Sequence, residues 1–150
     1  MSVKNKLKIA VVDDRVFFLS GLASCAESMG YSVVLKCKNG LDFISKVDLN
    51  DLPAVVFMGI NMPEMDGYET AAWIKLHCPT VKVLAISVDY NQEDIKKMAG
   101  HGANGFVMFD IYPHAIHLAI QEVTSTGSYY QEVDKGMQSS YTGKPYLKPW

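Results

Sequence analysis

The chain has 150 residues, with 14 Lys plus Arg against 16 Asp plus Glu and a formal net charge of −2. Hydrophobic residues make up 49% and charged residues 20%, the content of one ordinary domain with enough apolar side chain to build a core. A near-neutral charge with no basic run excludes nucleic-acid binding by bulk electrostatics, and no apolar run reaches the roughly 18 residues of a membrane span.

In chain order, Met1 to Lys6 carries no cleavable signal pattern and leads into a strand over Leu7–Val12, apolar enough to be buried on both faces. Asp13-Asp14 ends it. Phe18, Leu22, Cys25 and Met29 mark one face of a helix that Gly30 stops. Tyr31–Cys37 reads as a second strand, ended by Asn39-Gly40, and Leu41, Ile44 and Val47 suggest a short helix. Pro53 introduces a third strand over Ala54–Met58. Asp66-Gly67 precedes a helix whose apolar residues are Ala72, Trp73 and Leu76, stopped near Pro79. Val81–Val88 is a fourth strand; Ile95, Met98 and Ala99 share a helix face ending at Gly100. Phe106–Met108 is a short fifth strand, and Ile116, Ala119, Ile120 and Val123 line a last helix that ends by Gly127. Strands and helices that alternate over such short connections call for crossover units and a parallel sheet covered on both faces. From Ser128 to Trp150 the composition turns to Ser, Tyr, Gly, Lys and Pro with no apolar period, so the expected division is a domain over 1–127 and a linker-like or disordered tail over 128–150.

Three cysteines, Cys25, Cys37 and Cys78, are widely spaced and form no CxxC, which reads as reduced thiols in a cytosolic protein. Ligands of an open parallel sheet sit beyond the carboxyl ends of the strands. The residues there are Asp13 and Asp14 after strand one, Gly59 after strand three, Ser87 after strand four and Phe109 after strand five.

Over about residues 5 to 127 the chain resembles the receiver domain of two-component response regulators. Four strings carry the resemblance, in order and at the right spacing: Val11-Val12-Asp13-Asp14; Ile60-Asn61-Met62-Pro63-Glu64-Met65-Asp66-Gly67; Val83-Leu84-Ala85-Ile86-Ser87; and Gly102-Ala103-Asn104-Gly105-Phe106. Phe18, Gly21-Leu22 and the Gly127-x-Tyr129 stretch resemble most the subgroup that carries a LuxR-type helix-turn-helix. The resemblance implies an α/β fold, a flavodoxin-like doubly wound parallel sheet of five strands in the order 2-1-3-4-5 and three layers. It also implies a cytoplasmic, non-enzymatic module of phosphorelay signalling in bacteria.

Family chemistry needs a carboxylate nucleophile at the end of strand three, carboxylates that hold Mg²⁺, and a hydroxyl and a Lys that meet the phosphoryl oxygens. The matching acceptor position is Gly59, where Asp is expected, and the matching Lys position is Phe109. Neither Glu64 nor Asp66 substitutes, since both follow the strand. Two losses in one site favour natural repurposing over one engineered change. Asp13, Asp14, Ser87 and the aromatic Phe106 remain. Asp13 and Asp14 alone are a weak or absent Mg²⁺ site, so no cofactor is expected; Arg15 or a solvent cation would compensate their repulsion, and Asp14 reads as a cap for the helix that starts near Arg15. Ser87 reads equally as a strand-end hydrogen bonder or a switch residue, and Phe106, which matches the family's aromatic switch, reads by default as core. His114 and His117 read as exposed helix residues, and His77 and His101 as favourable charges at helix ends.

The leading expectation is therefore an atypical receiver-like module, unable to take a phosphoryl group at the usual site, that acts through protein contacts. The resemblance places its partner or homodimer face on helix four, strand five and helix five, with Ile95, Met98, Phe106, Tyr112 and Ala115; a histidine kinase is a further partner, and the domain itself touches neither nucleic acid nor membrane. Two alternatives stand beside it: the truncated input domain of a DNA-binding transcription regulator, and a ligand sensor using the strand-end cleft that Gly59 would open.

Overall fold

A computed structural model of the chain describes residues 6–108 and 113–130. Its elements are β1 (Lys8–Val12), α1 (Val16–Ser28), β2 (Ser32–Cys37), α2 (Gly40–Lys46), β3 (Val55–Met58), α3 (Gly67–His77), β4 (Lys82–Ser87), α4 (Gln92–Gly100), β5 (Gly105–Met108), α5 (Pro113–Thr126) and β6 (Tyr129–Tyr130). Every strand pair is parallel, in the order β2-β1-β3-β4-β5-β6. The expected doubly wound sheet is present, with one more strand than expected.

Alternation along the strands divides the core in two. Ile9, Val11, Val55, Phe57, Leu84, Ile86 and Val107 point to one face, where α1 and α5 supply Leu22, Ala23, Ala115, Ile116, Ala119, Ile120 and Val123. Ala10, Val12, Val56, Met58, Val83, Ala85, Phe106 and Met108 point to the other, where Phe43 of α2, Tyr68, Ala71 and Ile74 of α3 and Met98 of α4 cover them. Residues of opposite parity on a strand face opposite ways, so strands this apolar need helices on both sides.

Helix faces are less legible than strands. On α3 the expected apolar residues Ala72 and Leu76 are exposed, Leu76 by 76%, while Tyr68, Thr70, Ala71 and Ile74 are buried. The row at 67, 71, 74 and 78 faces the sheet, and the single large Tyr68 counts for more than the scattered Leu76. On α2 the buried residues are Gly40 and Phe43, and Leu41 is half exposed. Met98, Phe106 and Ala115, expected on a partner surface, are 1%, 2% and 1% exposed. They are core, and Ile95 is half-buried against the same cluster, whereas Ala99, expected on that helix face, is exposed. Tyr112 lies outside the described residues.

Three helices begin on side-chain caps. Asn39 Oδ1 accepts from Asp42 N and Asn91 Oδ1 from Asp94 N. Asp66 and Glu69 form a reciprocal capping box, with Asp66 Oδ1 accepting from Glu69 N at 2.9 Å and Glu69 Oε1 from Asp66 N at 3.2 Å. Gly30, at φ 95°, turns the chain out of α1 as expected.

The sixth strand falls just inside the expected tail. Tyr129 N donates to Asn104 O, and the Asn104 side chain accepts from Val83 N and donates to Gly127 O. One Asn thus ties the end of α5 to β4 and β5. Gly105 is required there because a Cβ would run into the Tyr129 backbone. Residues 131–150 of the expected tail lie outside the described residues.

Candidate functional site

The strand order reverses between β1 and its neighbours β2 and β3, so the cleft opens beyond Val12 and Met58. Asp13 and Gly59 follow those residues directly. Asp13 N donates to Cys37 O at 2.9 Å and Gly59 N to Val12 O at 2.8 Å, which carries the sheet ladder one step further and sets the two residues side by side.

Asp13 is 2% exposed, and both of its carboxylate oxygens are hydrogen-bonded. Oδ1 accepts from the Arg15 backbone N and from Arg15 Nε, both at 2.9 Å, and Oδ2 accepts from Arg15 Nη2 at 2.8 Å. This two-pronged guanidinium–carboxylate pairing is the strong form of the charge-assisted hydrogen bond. The guanidinium also lies over the Phe18 ring, 4.1 Å from its centroid. Hydrogen bonding to Asp13 raises the Arg15 pKa above its ordinary value. Between the two compensating cations left open by the sequence, the structure selects Arg15. Phe18, read from its spacing only as a helix-face residue, is the guanidinium's second support.

Asp14 is exposed and caps nothing: the N-cap of α1 is Arg15, with no side-chain cap bond. Asp13 turns inward and takes the Arg15 N–H, so the expected capping role of Asp14 does not arise.

Gly59 is buried. A Cβ there would meet Asp13 Oδ2 at 2.5 Å, Asp13 Cγ at 3.1 Å and Val12 O at 3.3 Å. The space that a missing side chain was expected to leave for a ligand is therefore filled by Asp13. Opposite, Gly67 N donates to Ile60 O at 2.8 Å, and a Cβ on Gly67 would strike Gly59 O. The loop over 59–67 is thus closed on itself, with Glu64 at its turn in the left-handed region, φ 66°.

Beside this pair lies a cleft of about 170 Å³ bordered by Arg15, Asn61, Ser87, Asp89 and Asp94, with Ile60, Ile86 and Val88. Ser87 Oγ accepts from Asp89 N at 3.0 Å, a bond at the strand end. Asp94 accepts from the Tyr68 hydroxyl at 3.1 Å, and burial followed by that bond pushes the Tyr68 pKa up to about 12. Phe106 is buried with its ring edge-on to Tyr90, centroids 6.1 Å apart. Phe109 lies outside the described residues.

The donor set does not fit Mg²⁺. Both Asp13 oxygens are taken by Arg15, Asp14 points to solvent and Gly59 has no side-chain oxygen. Among the described residues no three His, Cys, Asp or Glu come together as a metal group. His77 and His101 each donate from Nδ1 to a carbonyl of their own helix, Trp73 O and Lys97 O. His114 is exposed as expected. His117 is not: it is half-buried and shares a 2.7 Å hydrogen bond with the Tyr31 hydroxyl, a partner 86 residues away that no local spacing announces. No described helix is long and apolar enough to cross a membrane.

Residues 9–121 match the model of the response regulator receiver domain. The chain is 26% identical over 130 residues to the transcriptional regulatory protein MctR of Rhizobium johnstonii, covering 87% of this chain and 61% of that protein, so it spans less than two thirds of that relative. It is 32% identical over 102 residues to the chemotaxis protein CheY of Listeria monocytogenes, covering 68% of this chain and 85% of the relative. The signal receiver domain of the response regulator NarL from Mycobacterium tuberculosis superposes with a TM-score of 0.72 at 25% identity, covering 81% of this chain and 98% of the other. With the sheet order, the closed loop over 59–67 and the acidic residue after β1 already in view, the match is one of fold and motif together, and the chain belongs to the response regulator receiver domain family.

Proposed function

We propose that this receiver domain signals without a phosphoryl group at the usual strand-end position and transmits its state by contact with a protein partner. The observation that carries the reading is Gly59. It offers no carboxylate, and a Cβ at that position would lie 2.5 Å from Asp13 Oδ2, so the site is built around the absence of a side chain there. Phosphorylation normally biases a two-state receiver. Without an acceptor, the balance is set by the sequence or by a partner with different affinity for the two states. A second copy of the domain and a histidine kinase bound by contact alone are the partners this reading allows. Exposed parts of α4 and α5 are polar, with Glu93, Lys96, Lys97, Gln121 and Glu122, so contact there would be made through charge and hydrogen bonds.

The test is treatment with acetyl phosphate and Mg²⁺ followed by intact-mass measurement. No stoichiometric phosphoryl adduct is expected. A stable adduct that maps to Asp13 or Asp14 would overturn the reading.

The transcriptional regulators among the relatives favour a second reading, that the domain is the input module of a longer DNA-binding protein. A helix-turn-helix encoded in the reading frame past Trp150 would support it, and a stop codon directly after Trp150 would count against it.

A further inference from the structure

The cation of this site is covalently part of the chain. We propose that Arg15 is a built-in replacement for the divalent cation of a receiver site, and that Gly59 is the residue that lets Asp13 accept it. The inference rests on the reading of Gly59 as the acceptor position.

A buried carboxylate needs a counter-charge, and Asp13 is 2% exposed. Arg15 meets that need on both oxygens at once, with 2.9 Å to Oδ1 and 2.8 Å to Oδ2, while the same residue's backbone N–H adds a third bond. A metal that demands regular oxygen coordination would have to compete with the guanidinium for both Asp13 oxygens.

The placement of Arg15 is costly in isolation, and that argues for a role. It stands at the N-cap of α1, where the helix dipole disfavours a cation, and where α2, α3 and α4 carry Asn39, Asp66 and Asn91. α1 is left without a side-chain cap. What offsets this is the pairing with Asp13 and the Phe18 face 4.1 Å beneath the guanidinium. The side chain is held from two sides even though it is 46% exposed.

Gly59 completes the set. Asp13 Oδ2 sits where a residue-59 Cβ would begin, at 2.5 Å. A side chain at 59 would push the Asp13 carboxylate aside, so an Asp there and Arg15 would compete over where Asp13 turns. The three residues form one correlated arrangement: small at 59, Asp13 leaning across it, and guanidinium closing over Asp13. An Asp13 held in this way has its own charge balanced within the chain and does not call for a divalent ion.

Mn²⁺ binding tests this, followed by its electron paramagnetic resonance signal and by calorimetry. The full chain is compared with Arg15→Gln, Gly59→Asp and the double variant. Wild type is expected to show no saturable binding up to about 10 mM, well above the roughly 1 mM of weak hard-cation sites. Gly59→Asp alone is expected to bind at least tenfold more weakly than the double variant, because Arg15 still competes for Asp13. Saturable Mn²⁺ binding by wild type, or equal binding by Gly59→Asp and the double variant, would overturn the proposal. Should Arg15→Gln fail to fold, the Arg15 Nε–H resonance in wild type decides: it is expected to be protected from exchange, unmoved by Mg²⁺ and lost in Asp13→Asn. A resonance that shifts with Mg²⁺ overturns the proposal. The phosphoryl reading fails separately, through a mass adduct, whereas this one fails through metal binding.

Discussion

Replacing Gly59 by Ala is the smallest change that probes the contact on which the site depends. Gly59 is not in the left-handed region, so its backbone admits an L side chain. Elsewhere such a change helps: Gly→Ala stiffens the unfolded chain by about 0.4–1 kcal/mol. At Gly59 the new Cβ would lie 2.5 Å from Asp13 Oδ2, about 0.9 Å short of the 3.4 Å where ordinary contact begins. A shift of that size takes Asp13 away from an Arg15 it meets at 2.8 and 2.9 Å. Hydrogen bonds to charged groups contribute roughly 1.5–3 kcal/mol each, and Asp13 would stay buried. Losing about one such bond, less the chain-entropy gain, leaves a net destabilisation of about 0.5–2.5 kcal/mol, or a fall in Tm of about 1–10 °C for a domain of this size. Gly21→Ala is the control. Gly21 lies inside α1, is exposed and has nothing within 4 Å of its Cβ position. That substitution should stabilise by about 0.5–1 kcal/mol. Thermal and urea unfolding followed by circular dichroism give both numbers. If Gly59→Ala raises Tm as Gly21→Ala does, Asp13 is not held where the structure places it and the reasoning fails.

The remaining predictions concern groups outside that pair. Burial pushes the Cys37 thiol up to about 12, so it stays protonated and should not react with a disulfide reagent at pH 8 until the chain unfolds; exposed-thiol rates at Cys37 in the native protein would refute this. Asp42 accepts from the Lys38 backbone N–H at 3.0 Å and from Lys46 Nζ at 3.2 Å, and the first of these chiefly lowers its pKa below 3.8. A depressed folded pKa contributes stability above the unfolded value that is lost as pH falls through the folded one. The advantage of wild type over Asp42→Asn should therefore shrink only below about pH 4, and by under about 1 kcal/mol at this surface position; an advantage that stays constant down to the acid-unfolding region would count against it. Gly105→Ala should break the β5–β6 pairing and speed hydrogen exchange at Tyr129 N at least tenfold while exchange in β1 is unchanged; unchanged exchange at Tyr129 would show that β6 does not depend on close backbone approach.

How far the sequence could be read depended on the range of the interactions involved. Strands β1, β3 and β4 were legible because a buried strand writes its environment as a continuous apolar run, and Val11, Phe57 and Ile86 could face nothing else. Loops were legible where one residue type is forced, as at Asp66-Gly67, which opens α3 on a capping box. Helix faces were harder: on α3 the choice between Leu76 and Ile74 depends on how the helix lies on the sheet, which no window of its own residues encodes. The short β6 left no trace as a strand, since two tyrosines have no period; its cause is Gly105 and Asn104 on another element. At the site, the resemblance marked Gly59 and Asp13 as separate positions. That Asp13 occupies the space a residue-59 side chain would need while meeting Arg15 is a property of the two neighbouring strands and not of either residue. The same limit explains why Met98, Phe106 and Ala115 were named on a partner face: they were visible as apolar, but only the sheet shows that they turn into the core.

The sixth strand also sets a direction of travel. β6 runs parallel to β5, with Tyr129 opposite Gly105 and Tyr130 opposite Phe106, so the backbone at Tyr130 is heading toward the carboxyl ends of the strands. That is the end where Asp13, Gly59 and Ser87 lie. A pull along the β6 axis at Tyr130 would therefore load β5 in shear, through Asn104 to Val83 of β4. The domain has a mechanical line from its last described residue into its central strands that requires no chemistry at the acidic site to operate.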